Sequence, residues 1–211
     1  MKKATLTNQI PKMKVCRICK DKFTPNRPLQ VLCSVKCSYK YVEILQDKKR
    51  KAEKAEGYEK LKTHSDYSKE LQIEINTIAR LIDEGVPCIS SLRDGGKRDG
   101  GHRFSCGANP NIRFNLLNIY SQTAEQNRFK SGNPDGFDRG ISIMYGDEYL
   151  KEVHELKLKY PTLKLSIPEL ISAKVIAKKI VRHLKLDNKT YSALERIELR
   201  KKFNNMIGIC K

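Results

Sequence analysis

The chain has no tryptophan, and its aromatic residues make up only 7% of the sequence. A domain organised around one large aromatic core is therefore not expected. No apolar run approaches the roughly 18 residues that a membrane-spanning helix needs, which argues against an integral membrane protein. The opening segment, MKKATLTNQIPKMK, is basic but lacks the apolar stretch of a secretory signal peptide, so a cytoplasmic location is expected. Histidine is scarce as well, with four in 211 residues.

Positive charge is what the chain does have. Lys and Arg number 42 against 24 Asp and Glu, a formal net charge of +18. An excess of this size calls for a polyanionic partner, most often nucleic acid. An anionic membrane surface is the competing explanation, but no long amphipathic helix carries bulky apolar residues on one face. Residues 1–65 hold 17 basic and 6 acidic residues, so polyanion contact is expected to concentrate there.

Four of the seven cysteines lie near the start, as Cys16-x2-Cys19 and Cys33-x3-Cys37. Disulfides do not persist in a reducing compartment. Two close pairs instead allow four thiolates to converge on one Zn2+ at about 2.3 Å. The first pair fits a knuckle-like turn and the second fits the opening of a helix, whose N-terminus favours thiolates. With four protein ligands and no open position, the metal is expected to be structural.

The rest of the chain reads as an α+β protein in four parts. Residues 1–42 form the zinc-binding module and residues 43–65 a basic helical linker, VEILQDKKRKAEKAEGYEKLK. Residues 66–150 form a core and residues 151–211 a helical C-terminal region. Leu71, Ile75, Ile78 and Ile82 recur at helical spacing, and Gly85 follows as a terminator. RFSCG and IRFN, either side of Asn109-Pro110, read as two short strands joined by a turn. SQTAEQNRFKSG reads as a helix of about three turns. Further on, Leu150, Val153 and Leu156 share a helical face. Ser166, Pro168 and Glu169 then make a capping-box signal, and a last helix is expected around YSALERIELRKKF.

The core contains RDGGHRFSCGANPNIRFNLLNIY. A single His beside a glycine-rich loop is most often a hydrogen-bonding residue, Asn-rich loops are commonly turn formers, and scattered arginines are commonly solvated. The types are nevertheless those of phosphodiester hydrolysis. A His of near-neutral pKa can take a proton from water, a divalent cation can stabilise the phosphate and the leaving oxygen, and Asn or Asp can supply oxygen ligands. On this reading Arg98, Arg103, Arg113, Arg128 and Lys130 would hold backbone phosphates.

The pattern GGH…IRFNLLNIYSQTAEQN..KSGN resembles the core of the NinG/Rap recombination proteins of bacteriophages, which are related to the HNH (ββα-metal) nucleases. The N-terminal Cys pairs and the Lys-rich helix fit that layout, so the resemblance spans roughly residues 13–150. It implies a metal-dependent, structure-selective endonuclease acting on branched DNA such as Holliday junctions and D-loops, in the host cytoplasm, with Mg2+ or Mn2+ at the catalytic site. By position His102 would be the general base. Asn118 matches the middle Asn, which orients the loop and the His, and Asn127 matches the last metal-ligand position. Asp99 would be a further ligand. Many HNH enzymes place that acid immediately before the His, where this chain has Gly101. On this reading His102 and the Asn127 oxygen face one cleft, and symmetric resolution of a junction implies a homodimer. The family would also carry two further Cys-x2-Cys pairs with a second zinc. Only Cys88 is present here, with Ser91, Thr123 and Gln126 in the other three places, so packing of Ile89, Phe104, Phe114, Ile119 and Phe129 is expected to hold the motif. The alternative function is a non-catalytic, zinc-containing DNA-binding or strand-annealing factor.

Overall fold

The chain divides into two units, Met1–Lys62 and Thr63–Lys211. The computed structural model describes residues 12–129, 132–160 and 162–209. In the first unit, β1 (Lys14–Val15) and β2 (Lys22–Phe23) pair antiparallel around a tight turn. Helix α1 (Val35–Leu61) follows, capped by the Ser34 hydroxyl, which accepts the Cys37 N–H. Cys37 is the one buried residue of α1. This helix gains almost nothing from packing and relies on propensity and on surface pairs such as Glu56–Lys60. It passes without a break through residues 42–43, so the module and the charged stretch share one helix.

The second unit is mixed but mostly helical. A capping box in which Thr63 and Asp66 satisfy each other's N–H opens α2 (His64–Ile82). Its Leu71, Ile75, Ile78 and Ile82 are all fully buried. Gly85, at φ +78°, turns the chain after the helix in the left-handed region that suits glycine. Strands β3 (Arg98–His102) and β4 (Ile119–Thr123) then pair antiparallel, with Asp99 opposite Gln122 and His102 opposite Ile119. Four helices complete the chain: α3 (Pro134–Tyr145), α4 (Asp147–Lys159), α5 (Ile167–Asp187) and α6 (Ala193–Ile207). The Ser166–Glu169 capping box opens α5 as the sequence predicts, and Val153 and Leu156 are buried on α4.

Because side chains alternate across a strand, the β3–β4 pair separates two hydrophobic cores. Ile119 joins α2, α5 and α6 in one. Tyr120, one residue on, points the other way and joins Phe137, Ile141, Val153 and Leu156 of α3 and α4 in the second. Close approach on the α2 side depends on Gly100, where a Cβ would stand 2.7 Å from the Asn76 Cβ. On the other side Gly136 and Gly140 let α3 lie directly on the backbone carbonyls of Ser90 and Ile89.

Three expectations are corrected. RFSCG and IRFN are not strands; they lie in the connection between β3 and β4, which includes short 3-10 turns at Pro110–Ile112 and Leu116–Asn118. The strands sit just outside them, where glycines on β3 hide the alternating pattern that marks a strand. SQTAEQNRFKSG is not a three-turn helix: its first residues belong to β4, and Glu125–Phe129 forms one wide turn with π-type hydrogen bonding. The helix after the hairpin is α3, opened by Asn133 and Pro134. Phe129, expected in the core, is 83% exposed, whereas Ile89, Phe104, Phe114 and Ile119 are buried.

Candidate metal centre and hairpin site

The turn between β1 and β2 is built by backbone bonds. Cys16 N–H donates to the Asp21 carbonyl at 2.9 Å and Lys20 N–H to the Cys16 carbonyl at 3.1 Å. Lys20 closes the turn at φ +66°. Arg17 N–H donates to the Val31 carbonyl at 3.1 Å, which draws the second pair alongside the first. The four sulfurs of Cys16, Cys19, Cys33 and Cys37 lie within 4.8 Å of one another. Cys19 and Cys33 approach to 3.4 Å, and Cys33 and Cys37 to 3.6 Å. A tetrahedron with Zn–S bonds of about 2.3 Å has edges of about 3.8 Å, so the cluster fits a structural metal such as zinc. Burial pushes the Cys16 thiol up, but N–H groups of Ile18, Cys19 and Cys33 outweigh it and bring it down to about 6. The Asp21 N–H favours the Cys19 thiolate, yet the Asp21 carboxylate and the neighbouring sulfurs push that thiol well up. Such a crowd of incipient anions is what a cation relieves.

The hairpin places the other candidates on two faces. His102, Gly100 and Arg98 alternate onto the α2 side. There His102 Nε2 lies 3.0 Å from the Arg113 carbonyl and 3.3 Å from Gln72 Nε2. Burial lowers the His102 pKa; the Arg113 carbonyl opposes this and the Arg113 guanidinium adds to it. Together these favour the uncharged imidazole. Asp99 and Gly101 alternate onto the opposite side, where Asn127 Nδ2 donates to Asp99 Oδ2 at 3.3 Å. The structure therefore brings Asp99 and Asn127 together and sends His102 to the other face, contrary to the one-cleft expectation. Asn118 is wholly buried. Its Oδ1 accepts the Phe104 N–H at 2.8 Å, and its Nδ2 donates to the carbonyls of Phe104 at 3.0 Å and Ile112 at 3.4 Å. It fixes the connection that follows His102.

Several of the predicted phosphate-binding residues are already engaged. Arg128 bonds both Asp99 oxygens, at 2.8 and 3.2 Å. Burial opposes ionisation of Asp99, but Arg128, Asn127 and the charge of Lys97 hold its carboxyl below the usual range. Arg103 Nη2 donates to Asp138 at 2.6 Å. Arg113 Nε donates to Gln72 at 3.3 Å, and Arg98 Nη2 to the Arg93 carbonyl at 3.4 Å. Lys130 lies outside the described residues.

Comparison with known proteins settles the family. The family model described as NinG, the bacteriophage lambda NinG protein, matches residues 8–187. The chain belongs to the NinG family. It is 32% identical over 162 residues to protein ninG of Enterobacteria phage H19B, covering 68% of this chain and 81% of that one. Protein ninG of Escherichia phage lambda is 30% identical over 154 residues, covering 64% of this chain and 76% of the relative. Protein ninG of Salmonella phage P22 is 31% identical over 134 residues, covering 54% and 66%. No solved structure matches the chain.

Sequence reasoning missed two features of this NinG chain. Arg93, Lys97 and Arg139 line a cleft of about 440 Å3 beside the hairpin, together with the acidic Asp94 and Glu125. Only their charge marks them in the sequence. A buried ion pair under β4, between Asp83 and Arg200, was also missed, because its partners are far apart in the chain. Among the described residues, no helix is long and apolar enough to cross a membrane.

Proposed function

We propose that the chain is a DNA-binding protein of phage recombination, working in the host cytoplasm and gripping the phosphate backbone. The net charge of +18 carries this reading, supported by family membership. Each phosphate contact by Lys or Arg releases condensed counterions, so affinity should fall steeply with salt. A titration of labelled four-way junction and linear duplex between about 50 and 200 mM salt tests it. A drop of tenfold or more is expected; salt-independent or absent binding would refute it.

A second reading is the divalent-metal-dependent endonuclease on Holliday junctions and D-loops, favoured by the Asp99–Asn127 contact on one face of the hairpin. Two oxygen-bearing side chains, one ion-paired to Arg128, do not by themselves make the six-oxygen shell of Mg2+. The reading requires Arg128 to exchange Asp99 for a DNA phosphate, and it gives the base role to His102 Nδ1, since the Arg113 carbonyl would hold the proton on Nε2. Mg2+- or Mn2+-dependent nicking of a four-way junction that is lost in His102→Ala and Asp99→Asn, with binding retained, is the expected result. No nicking with either metal leaves the non-catalytic binding factor. Paired symmetric cuts would further require two copies, which light scattering on the DNA complex measures.

A further inference from the structure

The loop at Cys88 repeats the Cys16 turn bond for bond. Cys88 N–H donates to the Arg93 carbonyl at 3.0 Å, five residues on, as Cys16 does to Asp21. Leu92 N–H returns to the Cys88 carbonyl at 2.8 Å, as Lys20 does to Cys16. Leu92 and Lys20, both at the fourth position, take the same left-handed conformation, at φ +55° and +66°. That conformation is uncommon for any residue with a side chain and rare for leucine. A third bond matches as well. Ile89 N–H donates to the Ser121 carbonyl at 3.1 Å, two residues before Thr123, just as Arg17 N–H donates to Val31, two residues before Cys33.

The equivalences assign the first three ligand positions. Ser91 stands where the first turn has Cys19, and Thr123 stands where the first module has Cys33. Gln126 follows Thr123 by three residues where Cys37 follows Cys33 by four, and is the fourth member of the set by that near-equal spacing. Three of these four positions carry side chains that a soft metal does not select. They form hydrogen bonds instead. The Cys88 sulfur accepts the Thr123 N–H at 3.2 Å and sits 3.6 Å from the Ser90 hydroxyl and 3.7 Å from the Thr123 hydroxyl. Gln126 N–H donates to the Thr123 hydroxyl at 3.5 Å. The Gln126 amide oxygen accepts from Asn133 Nδ2 at 2.8 Å, and the same Nδ2 reaches the Ser90 carbonyl at 3.2 Å.

We infer that Cys88, Ser91, Thr123 and Gln126 are a second metal knuckle in which a hydrogen-bond cluster has replaced the ion, so that this unit keeps the knuckle's backbone without metal. The residues present do not fit zinc, and the sulfur of Cys88 is the hub of the cluster, accepting from the Thr123 N–H and donating to the Thr123 hydroxyl. Asn133, at the start of α3, ties the cluster to the helix.

Cobalt titration tests the inference, because tetrahedral Co2+–thiolate gives visible and near-ultraviolet bands whose amplitude counts sites. Restoring the donors in Ser91→Cys/Thr123→Cys/Gln126→Cys should raise the bound metal by one equivalent over the unmodified chain. A folded triple variant that gains no equivalent overturns the inference. A second variant guards against misfolding of the first. Cys16→Ser/Cys19→Ser/Cys33→Ser/Cys37→Ser, with Cys88 intact, should show no tetrahedral thiolate bands; retained bands would overturn the inference equally.

Discussion

Replacing Arg200 by leucine is the sharpest test of how the hairpin is held. Arg200 is fully buried, and its Nη2 donates to both oxygens of Asp83 at 2.8 and 2.7 Å. Asp83, 4% exposed, also accepts the Ser121 N–H of β4 at 2.8 Å, and Tyr145 Oη lies 3.3 Å away. Burial works against the Arg200 charge, but Asp83 and the surrounding tyrosines hold it fully protonated. Removing one partner of a buried pair typically destabilises by about 3–5 kcal/mol, because it strands the other charge. Here the lower end applies: Arg196 Nε lies 3.9 Å from Asp83, and two uncharged donors remain. A loss of about 3 kcal/mol corresponds to roughly 6–12 °C in Tm for a chain of this size. Thermal unfolding followed by circular dichroism measures it. Adding Asp83→Asn should recover part of the loss, since the carboxamide still accepts from Ser121 without a stranded charge. A fall in Tm below about 2 °C, or a double variant worse than Arg200→Leu alone, would refute the reasoning.

Two further perturbations probe the faces of the hairpin. The His102 pKa is depressed in the folded chain, so the unfolded state takes up its proton first on acidification. The neutral form's contribution is complete above the unfolded value of about 6.5 and is lost as pH falls through the folded value. Urea unfolding at pH 7 and pH 5 should show a loss that is smaller in His102→Gln; an unchanged difference would sink this account. Gly140→Ala should destabilise by about 1–3 kcal/mol or more, because its Cβ would fall on the Ile89 carbonyl. Substitution at exposed Gly57, where a Cβ meets nothing, is the control, and equal melting of both variants would show that α3 does not rest on that loop.

What the sequence made legible follows from which forces are local. Helical spacing in α2 and the capping box of α5 depend on neighbours within four residues, so they could be read directly. The four-Cys cluster was equally plain, because its chemistry is stated by residue type and spacing. The hairpin was misplaced because Gly100 and Gly101, required by close packing on Asn76 and Gln122, remove the alternation that announces a strand. Asn133-Pro134, a cap followed by a proline in the first turn, is a local signal for α3, but the helical reading stopped just before it, at Gly132, and gave these residues no element. Which face His102 takes depends on register, and register is fixed by tertiary packing. Asp83 and Arg200, 117 residues apart, carry no local mark at all.

Helix α1 has a consequence of another kind. A solvated helix of 27 residues is about 40 Å long, and without packing nothing offsets the unfavourable first turn that starts it. In this chain that first turn contains Cys37 and is capped by Ser34. A metal held by the thiol cluster would fix that first turn, so its removal is expected to shorten the charged arm rather than reshape a pocket.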